Sequence, residues 1–129
     1  MRPDDDKRLK RILVVDDDAL TLQVITRALE GYEVTVARDG DEALQLAAPG
    51  SRIDLLITDY LMPTMMGDEL LGWIRERRPS LKTLIITGHS EILGRELPEW
   101  WTGQPHLTKP FTIATLRDTV TRLIGPSAV

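Results

Sequence analysis

Five polar side chains that could take part in chemistry lie at the ends of short apolar runs. They comprise three carboxylates, a hydroxyl group and an ammonium group: Asp16, Asp17, Asp59, Thr87 and Lys109. Carboxylates that crowd together at neutral pH require either a raised pKa or a bound cation. Oxygen ligands with few protein contacts suit Mg²⁺, which keeps water molecules that a phosphate group can replace. If these side chains meet in the fold, they predict a magnesium site for phosphate chemistry.

Transfer of a phosphoryl group would give each of these side chains a task. A carboxylate can act as a covalent nucleophile toward phosphorus and form an acyl phosphate, while the metal neutralises charge on the transferring group. We expect Asp17 and Asp59 to bind the ion directly and Asp16 to reach it through water. Lys109 would hold a phosphoryl oxygen as a mobile point charge, and Thr87 would turn its hydroxyl group toward another. Since positioning and electrostatics supply most of the catalysis, these residues would suffice for a reactive donor.

The apolar pattern predicts five short strands that alternate with helices. The strands are expected at residues 12–16, 33–37, 55–58, 81–87 and 105–108. Short apolar runs rich in β-branched residues are typical of strands buried on both faces of a parallel sheet. Gly31 should end the first helix as its left-handed residue. The apolar face of that helix is expected to be Leu20, Val24, Ile25, Ala28 and Leu29.

Prolines and capping residues limit the later helices. The second helix should cover residues 39–47 and stop at Pro49, and the third should end before Pro79. Pro98 should end the fourth helix early. Thr112 offers an N-cap for the last helix. The apolar face of that last helix is expected to be Ile113, Leu116, Val120, Leu123 and Ile124.

Alternation of five strands with helices selects a doubly wound α/β fold, in which helices cover both faces of a parallel sheet. Right-handed crossovers bring the carboxyl ends of all the strands to one edge, where ligands bind in such folds. The polar side chains at the strand ends should therefore meet on one rim.

Length, composition and charge limit the classes of function. A chain of 129 residues with 42% hydrophobic residues has the size of one domain, with a core expected at about 10–124 and loose tails at 1–9 and 125–129. The absence of cysteine, of a signal-like segment and of a long apolar run favours a cytoplasmic protein. A formal charge of −4 argues against nonspecific nucleic-acid binding. The local exception is the basic run Lys7, Arg8, Lys10 and Arg11.

Over residues 10–124 the chain resembles the receiver domains of bacterial two-component response regulators, in particular the chemotaxis-regulator-like ones. Four segments carry this resemblance. They are ILVVDD ending at Asp17, DYLMPTMMG beginning at Asp59, IITGH around Thr87 and TKPF around Lys109. The resemblance implies a flavodoxin-like sheet of order 2-1-3-4-5 and a Lys109–Pro110 bond of the kind that is often cis in the family. It implies that Asp59 accepts a phosphoryl group from a histidine kinase or a phosphotransfer protein. The metal site that it implies contains Mg²⁺ and the residues Asp16, Asp17, Asp59 and Leu61.

Several positions depart from the family's pattern. His106 stands three residues before the lysine, where an aromatic switch residue is usual, and with Pro110 it is the candidate switch position. The apolar side chain of Leu61 cannot orient an attacking water, which predicts slow self-dephosphorylation unless His89 takes over that task. Trp100 and Trp101 replace the small-residue turn that usually precedes the fifth strand. The two rings could fold back onto the core, or one of them could face outward and form part of a surface for a partner or a second copy.

The resemblance predicts a binding module and not a conventional enzyme. Phosphorylation of Asp59 would draw Thr87 and Lys109 inward and change the face between the fourth helix and the fifth strand. A downstream protein, an output domain or a second copy of the chain would bind this face. Direct contact with nucleic acid or with a membrane is not expected.

Two other classes of function stay open. An aspartate-nucleophile phosphatase of the haloacid dehalogenase kind is suggested by Asp16 and Asp18 after the first strand, although Leu20 stands where that family needs threonine. A phosphate-independent scaffold is the other alternative, but such a protein would not need the five-residue site.

Overall fold

The computed structural model describes residues 9–128, so the predictions for residues 1–8, including Lys7 and Arg8, and for Val129 lie outside this part of the chain. Five parallel strands form one sheet in the order β2-β1-β3-β4-β5, which confirms the expected topology. Each strand boundary lies within one residue of its predicted place. The strands are β1 Arg11–Val15, β2 Glu33–Ala37, β3 Leu55–Asp59, β4 Lys82–Thr87 and β5 His106–Thr108.

The described part of the chain contains six helices. They are α1 Ala19–Ala28, α2 Gly40–Leu46, α3 Gly67–Arg77, α4 Ser90–Glu96, α5 Pro98–Thr102 and α6 Ile113–Ile124. Asp18, Asp39 and Thr112 cap α1, α2 and α6, because each side chain accepts a main-chain N–H group. The Thr112 cap and the ends of α3 and α4 before prolines agree with the sequence. Among the described helices, none combines the length and the apolar character that crossing a membrane requires.

Alternate side chains of the central strands enter two separate core layers. In β1, Ile12 and Val14 pack beneath α1 and α6, whereas Leu13 and Val15 pack on the opposite face, beneath α3 and α4. The strands β3 and β4 alternate in the same way. Burial on both faces explains why these strands are apolar at almost every position. The polar side chains are therefore found at the ends of the strands.

The apolar face predicted for α1 is wrong at two positions. Leu20 and Val24 are 63% and 46% exposed. The residues that α1 buries are Leu22, Ile25 and Ala28. Apolar residues occupy more than one side of this helix, so spacing alone does not select the stripe that meets the sheet. At the start of α6, Ile113 is likewise 56% exposed, which corrects its assignment to the core.

Gly31 and the C-terminal segment meet near the start of β2. Gly31 has a positive φ of 96°, but α1 ends three residues earlier, so Gly31 lies in the following turn and does not end the helix. Its carbonyl accepts the N–H of Ala128 at 3.2 Å. The Tyr32 hydroxyl group donates to the carbonyl of Gly125 at 2.8 Å. Gly125 and Ala128 thus bond to the turn before β2.

The segment between α4 and β5 forms a helix, α5, that the sequence did not predict. Pro98 begins it, since the fixed φ of proline suits the first position of a helix. Trp101 is buried at 8% exposure and Trp100 is partly buried. Of the two placements that the sequence left open, the structure shows the rings folded back onto the core: both pack against the layer beneath α3.

Candidate functional site

The carboxyl ends of β1, β3 and β5 bring three charged side chains together. Asp16 follows β1, Asp59 ends β3 and Lys109 follows β5. The Lys109 ammonium group lies 3.1 Å from Asp16 Oδ2 and 3.4 Å from Asp59 Oδ2. One cation is therefore shared by two carboxylates from neighbouring strands.

Asp17 adds a third carboxylate to this edge. Oxygens of Asp16, Asp17 and Asp59 lie within 4.8 Å of one another. Asp16 is buried, Asp59 is half-buried and Asp17 is exposed, so the cluster opens to water on one side. Three carboxylates against one ammonium group leave an excess of negative charge. Because the ligand atoms are all oxygens and water has access, the residues present fit Mg²⁺.

Burial dominates the electrostatics of Asp59. It raises the pKa of this carboxyl above the ordinary value; Lys109 opposes that shift, and Asp16 adds to it. Burial alone would lower the pKa of Lys109, but the negative charges of Asp59 and Asp16 outweigh burial and raise it. Ionisation of Asp59 therefore costs free energy in this fold, and a bound cation would relieve that cost.

The segment after β3 fixes the position of Asp59. Its Oδ1 accepts the N–H of Tyr60 at 2.8 Å. Gly67, the first residue of α3, folds back onto this segment and donates its N–H to the Tyr60 carbonyl at 2.6 Å. A Cβ atom at Gly67 would lie 2.8 Å from the Asp59 carbonyl oxygen and 2.9 Å from Tyr60 Cα. The close approach therefore requires glycine.

Three further residues of the predicted site lie at the carboxyl ends of strands: Thr87 ends β4, Leu61 follows β3 and Pro110 follows β5. Thr87 Oγ1 is buried and accepts the N–H of His89 at 3.1 Å, so in this structure the hydroxyl group bonds to its own loop. Leu61 is 47% exposed, and only its main-chain carbonyl can serve as a metal ligand. The Lys109–Pro110 bond is cis, as the resemblance implied.

His106 begins β5 and is exposed, on the outer side of the last strand. Its ring stacks on Trp101, with centroids 3.8 Å apart and an interplanar angle of 23°. Its Nδ1 lies 2.8 Å from the Gln104 carbonyl oxygen. These contacts hold the ring in one orientation, and its role as a switch residue stays a prediction.

Asp18 does not join the carboxylate cluster. It accepts the N–H of Leu20 at 3.3 Å and the hydroxyl group of Thr21 at 2.6 Å. The bond from Thr21 lowers the pKa of the Asp18 carboxyl. The structure therefore uses Asp18 as the N-cap of α1, which removes the feature that had suggested an aspartate-nucleophile phosphatase.

Sequence reasoning missed the part played by Tyr60. Besides its bond to Asp59, its ring meets Trp100 edge-on, with centroids 5.7 Å apart. The two aromatic residues are 40 positions apart, and no local pattern indicates their contact. Gly67, in contrast, was visible in the sequence, because it is the last residue of the motif DYLMPTMMG that begins at Asp59.

A profile of the response regulator receiver domain matches residues 12–121 of this chain. A curated relative, the probable transcriptional regulatory protein TcrX of Mycobacterium tuberculosis, is 34% identical over 104 residues. These residues cover 79% of this chain and 44% of the relative, so the chain spans less than half the length of that protein.

Two solved structures show the same arrangement of strands and helices. A CheY-like receiver domain protein from Methanospirillum hungatei superposes with a TM-score of 0.79 at 30% identity, over 89% of this chain and 93% of its own. The response regulator TrrA of Thermotoga maritima, in complex with Mg²⁺ and BeF, gives a TM-score of 0.76 at 33% identity, over 89% and 99%. Similarity of sequence and similarity of fold thus each extend over most of the chain.

Proposed function

Because this chain belongs to the response regulator receiver domain family, we propose that it accepts a phosphoryl group on Asp59 with the help of Mg²⁺. The observation that carries the proposal is the cluster of carboxylates around Lys109 at the carboxyl ends of the strands, called the carboxyl edge below. Asp59 shares Lys109 with Asp16, and Asp17 brings a third carboxylate within 4.8 Å. The complex of TrrA with Mg²⁺ and BeF supports the same chemistry here.

The donor would be a phosphohistidine of a kinase or a phosphotransfer protein. An oxygen of Asp59 attacks phosphorus; the new O–P bond forms as the P–N bond breaks, and the released imidazole keeps the electron pair and takes a proton from water. The contact of Lys109 with Asp59 is long, at 3.4 Å, so the ammonium group can move onto a phosphoryl oxygen. Thr87 Oγ1 accepts the N–H of His89, so its hydroxyl proton is free to be donated to a second phosphoryl oxygen. When bound, Mg²⁺ neutralises charge on the transferring group.

Incubation with acetyl phosphate and Mg²⁺, followed by intact-mass measurement, tests this proposal. We expect the parent chain to gain the mass of one phosphoryl group, and we expect neither Asp59→Asn nor the parent in EDTA to gain it. Asp54→Asn is the matched control, because Asp54 is a carboxylate that precedes β3 at the opposite edge of the sheet. Labelling of Asp59→Asn at the parental rate would show that the acceptor lies elsewhere.

The surface that meets the donor is proposed to be the groove beside Lys109. This groove has a volume of about 280 Å³ and is lined by Leu20, Thr21, Val24, Lys109, Pro110 and Phe111. Leu20 and Val24 are exposed apolar side chains that line this groove together with Lys109, as is typical of a binding surface. The double change Leu20→Ser and Val24→Ser should slow transfer from a kinase about tenfold. Labelling by acetyl phosphate should not change, since that donor needs no protein surface.

The face between α4 and β5 is proposed for the downstream protein, an output domain or a second copy of the chain. Ile92 and Leu97 are 48% and 36% exposed there, and His106 lies exposed at the start of β5. Sedimentation of the parent and of Ile92→Ser, each with and without phosphorylation, tests the second copy. A phosphorylation-dependent dimer that Ile92→Ser abolishes would support it.

Hydrolysis of the acyl phosphate should be slow, because Leu61 offers no polar group to an attacking water. Leu61→Asn supplies one, and we expect it to speed the loss of the phosphoryl group by about tenfold or more. The decay of the labelled fraction after removal of donor measures this rate. A half-life of seconds in the parent chain would contradict the expectation.

A further inference from the structure

The short helix α5 carries two adjacent aromatic rings that contact different parts of the molecule. Trp100 meets the Tyr60 ring edge-on at 5.7 Å and 62°. Trp101 stacks on the His106 ring at 3.8 Å and 23°. One helix of five residues thus touches the segment next to Asp59 and also the exposed start of β5.

The main chain of Tyr60 is hydrogen-bonded directly to the Asp59 side chain. Its N–H donates to Asp59 Oδ1 at 2.8 Å. Formation of an acyl phosphate removes the negative charge from the carboxyl group and places a phosphoryl group there. A hydrogen bond to a charged acceptor is stronger than one to a neutral acceptor, so this modification changes the bond that positions Tyr60. A shift of Tyr60 would reach Trp100 through the contact between their rings.

The two tryptophan rings move together because α5 is bonded as a unit. The N–H of Trp101 donates to the Leu97 carbonyl at 2.8 Å, and the N–H of Gly103 donates to the Glu99 carbonyl at 3.1 Å. Trp101 is buried, so it cannot swing away without opening the layer beneath α3. A displacement of Trp100 therefore requires α5 to shift as one body, with Trp101 staying inside its layer as it moves.

The far end of α5 is tied to β5 by a second set of contacts. The N–H of Gln104 donates to the Trp101 carbonyl at 3.2 Å, and the Gln104 carbonyl oxygen lies 2.8 Å from His106 Nδ1. The Gln104 side chain is buried and accepts a hydrogen bond from Arg75 of α3. His106 thus follows the position of α5 through its stacked ring and through Gln104.

We infer that α5 transmits the state of Asp59 from Tyr60 to the exposed His106, with Trp100 and Trp101 as positioning residues. The inference rests on the proposed function, since it needs Asp59 to change state. It gives His106 a place in switching through Trp101 and not through direct contact with the acceptor. An aromatic pair of this kind is worth up to about tenfold in an equilibrium between two positions of the helix.

The experiment compares the imidazole NMR signals of the two histidines, His89 and His106, with the phosphorylated fraction measured by intact mass in the same sample. In the parent chain, phosphorylation should shift the His106 signal. In Trp100→Leu, at an equal phosphorylated fraction, the ratio of shifted to unshifted His106 signal should fall by up to about tenfold. Trp100→Phe keeps a ring against Tyr60 and should restore most of the shift, which separates positioning from a general loss of structure.

Trp73→Leu is the matched control. Trp73 lies on α3, is 46% exposed and contacts Arg77 through its ring face, at 5.1 Å. Its removal should leave the His106 shift at the parental size. An undiminished shift in Trp100→Leu, or a labelled parent whose His106 signal does not move, would overturn the inference while the proposed function stands. A parent chain that gains no phosphoryl mass would overturn both.

Discussion

The carboxyl ends and the amino ends of the parallel strands form two edges of the sheet, and side chains of opposite charge dominate them. At the carboxyl edge, three carboxylates crowd around the single ammonium group of Lys109. At the amino edge, a cavity of about 630 Å³ contains one carboxylate, Asp54, in its lining. The cations that line this cavity are Lys10, Arg77, Arg78 and Lys82. If cavity volume and the number of charged side chains alone identified a ligand site, the amino edge would be the better candidate.

Hydrogen bonds within the fold account for the charges of the amino edge. Lys82 Nζ donates to the Leu123 carbonyl near the C-terminal end of α6, at 2.8 Å. Arg78 donates to the Ser51 carbonyl at 2.7 Å. Cations that bond to carbonyl groups, in particular at the C-terminal end of a helix, stabilise the structure. These side chains therefore have a structural role without any ligand.

The carboxyl edge differs because like charges face one another there. The burial of Asp59, together with the charge of Asp16, raises the pKa of Asp59, and Lys109 offsets this only in part. Such a site destabilises the fold without metal, and a bound metal ion relieves the repulsion. Charge that the fold leaves uncompensated, and not cavity volume, distinguishes the reactive edge from the structural one.

The largest difference between the edges should come from removing one lysine at each. Lys109→Met deletes the cation that would hold a phosphoryl oxygen, so the rate of labelling by acetyl phosphate should fall about 100-fold. Lys82→Met deletes a cation that bonds to a helix carbonyl, and the labelling rate should stay parental. Time courses of intact mass measure both rates. Equal losses in the two variants would mean that the edges do not differ in function.

Magnesium should stabilise the carboxyl edge alone. At a concentration about 100 times its Kd, Mg²⁺ should add about 2.7 kcal/mol to the free energy of unfolding of the parent chain. Asp17 is exposed, so Asp17→Asn without metal should change that free energy by less than about 0.5 kcal/mol. With metal, most of the gain should disappear in Asp17→Asn and persist in Asp54→Asn. Urea unfolding with and without MgCl₂ tests this, and an unchanged gain in Asp17→Asn would remove that residue from the metal site.

Neutralising one carboxylate at each edge should shift stability in opposite directions. A carboxyl whose folded pKa is raised binds more protons when folded, so stability falls as the pH rises from 3.8 through the folded pKa of Asp59. At neutral pH without metal, Asp59→Asn should therefore raise the thermal midpoint, and the gain should vanish below pH 3.8.

Asp54→Asn supplies the contrast for this measurement. Asp54 accepts the N–H of Arg11 at 2.8 Å and pairs with Arg52 at 3.3 Å. Loss of the charge in this partly exposed pair should lower the free energy of unfolding by about 0.5 kcal/mol at neutral pH. Thermal scans of both variants across the pH range decide the signs. Two midpoints that move the same way would contradict the difference between the edges.

The sheet and the carboxylate cluster could be predicted from the sequence for one physical reason. Strands buried on both faces are apolar at nearly every position, so their ends are visible as the places where polar residues begin. Parallel topology then brings all the carboxyl ends together. Asp16, Asp59 and Lys109 could therefore be placed at one edge although they are far apart in the chain.

Features that depend on tertiary packing were beyond such reasoning. Leu20 and Val24 repeat with helical spacing, yet α1 buries another side, because the position of the sheet decides which stripe is covered. The contact between Tyr60 and Trp100 joins distant segments through a helix, α5, that begins at a proline. No periodicity indicates such a contact, since it depends on how two loops pack.

The smallest expected effect concerns Arg78 at the amino edge. Its guanidinium group donates to the carbonyl and the hydroxyl oxygen of Ser51, at 2.7 and 3.3 Å. Arg78→Ala should lower the free energy of unfolding by about 1 kcal/mol, the usual net contribution of a hydrogen bond of this kind. Arg95→Ala, at an exposed arginine of α4, should change it by less than about 0.5 kcal/mol. Urea unfolding measures both, and labelling by acetyl phosphate should stay parental in each variant. A slower labelling of Arg78→Ala would show that the amino edge reaches the acceptor after all, since its bonds to Ser51 lie at the other end of the strands.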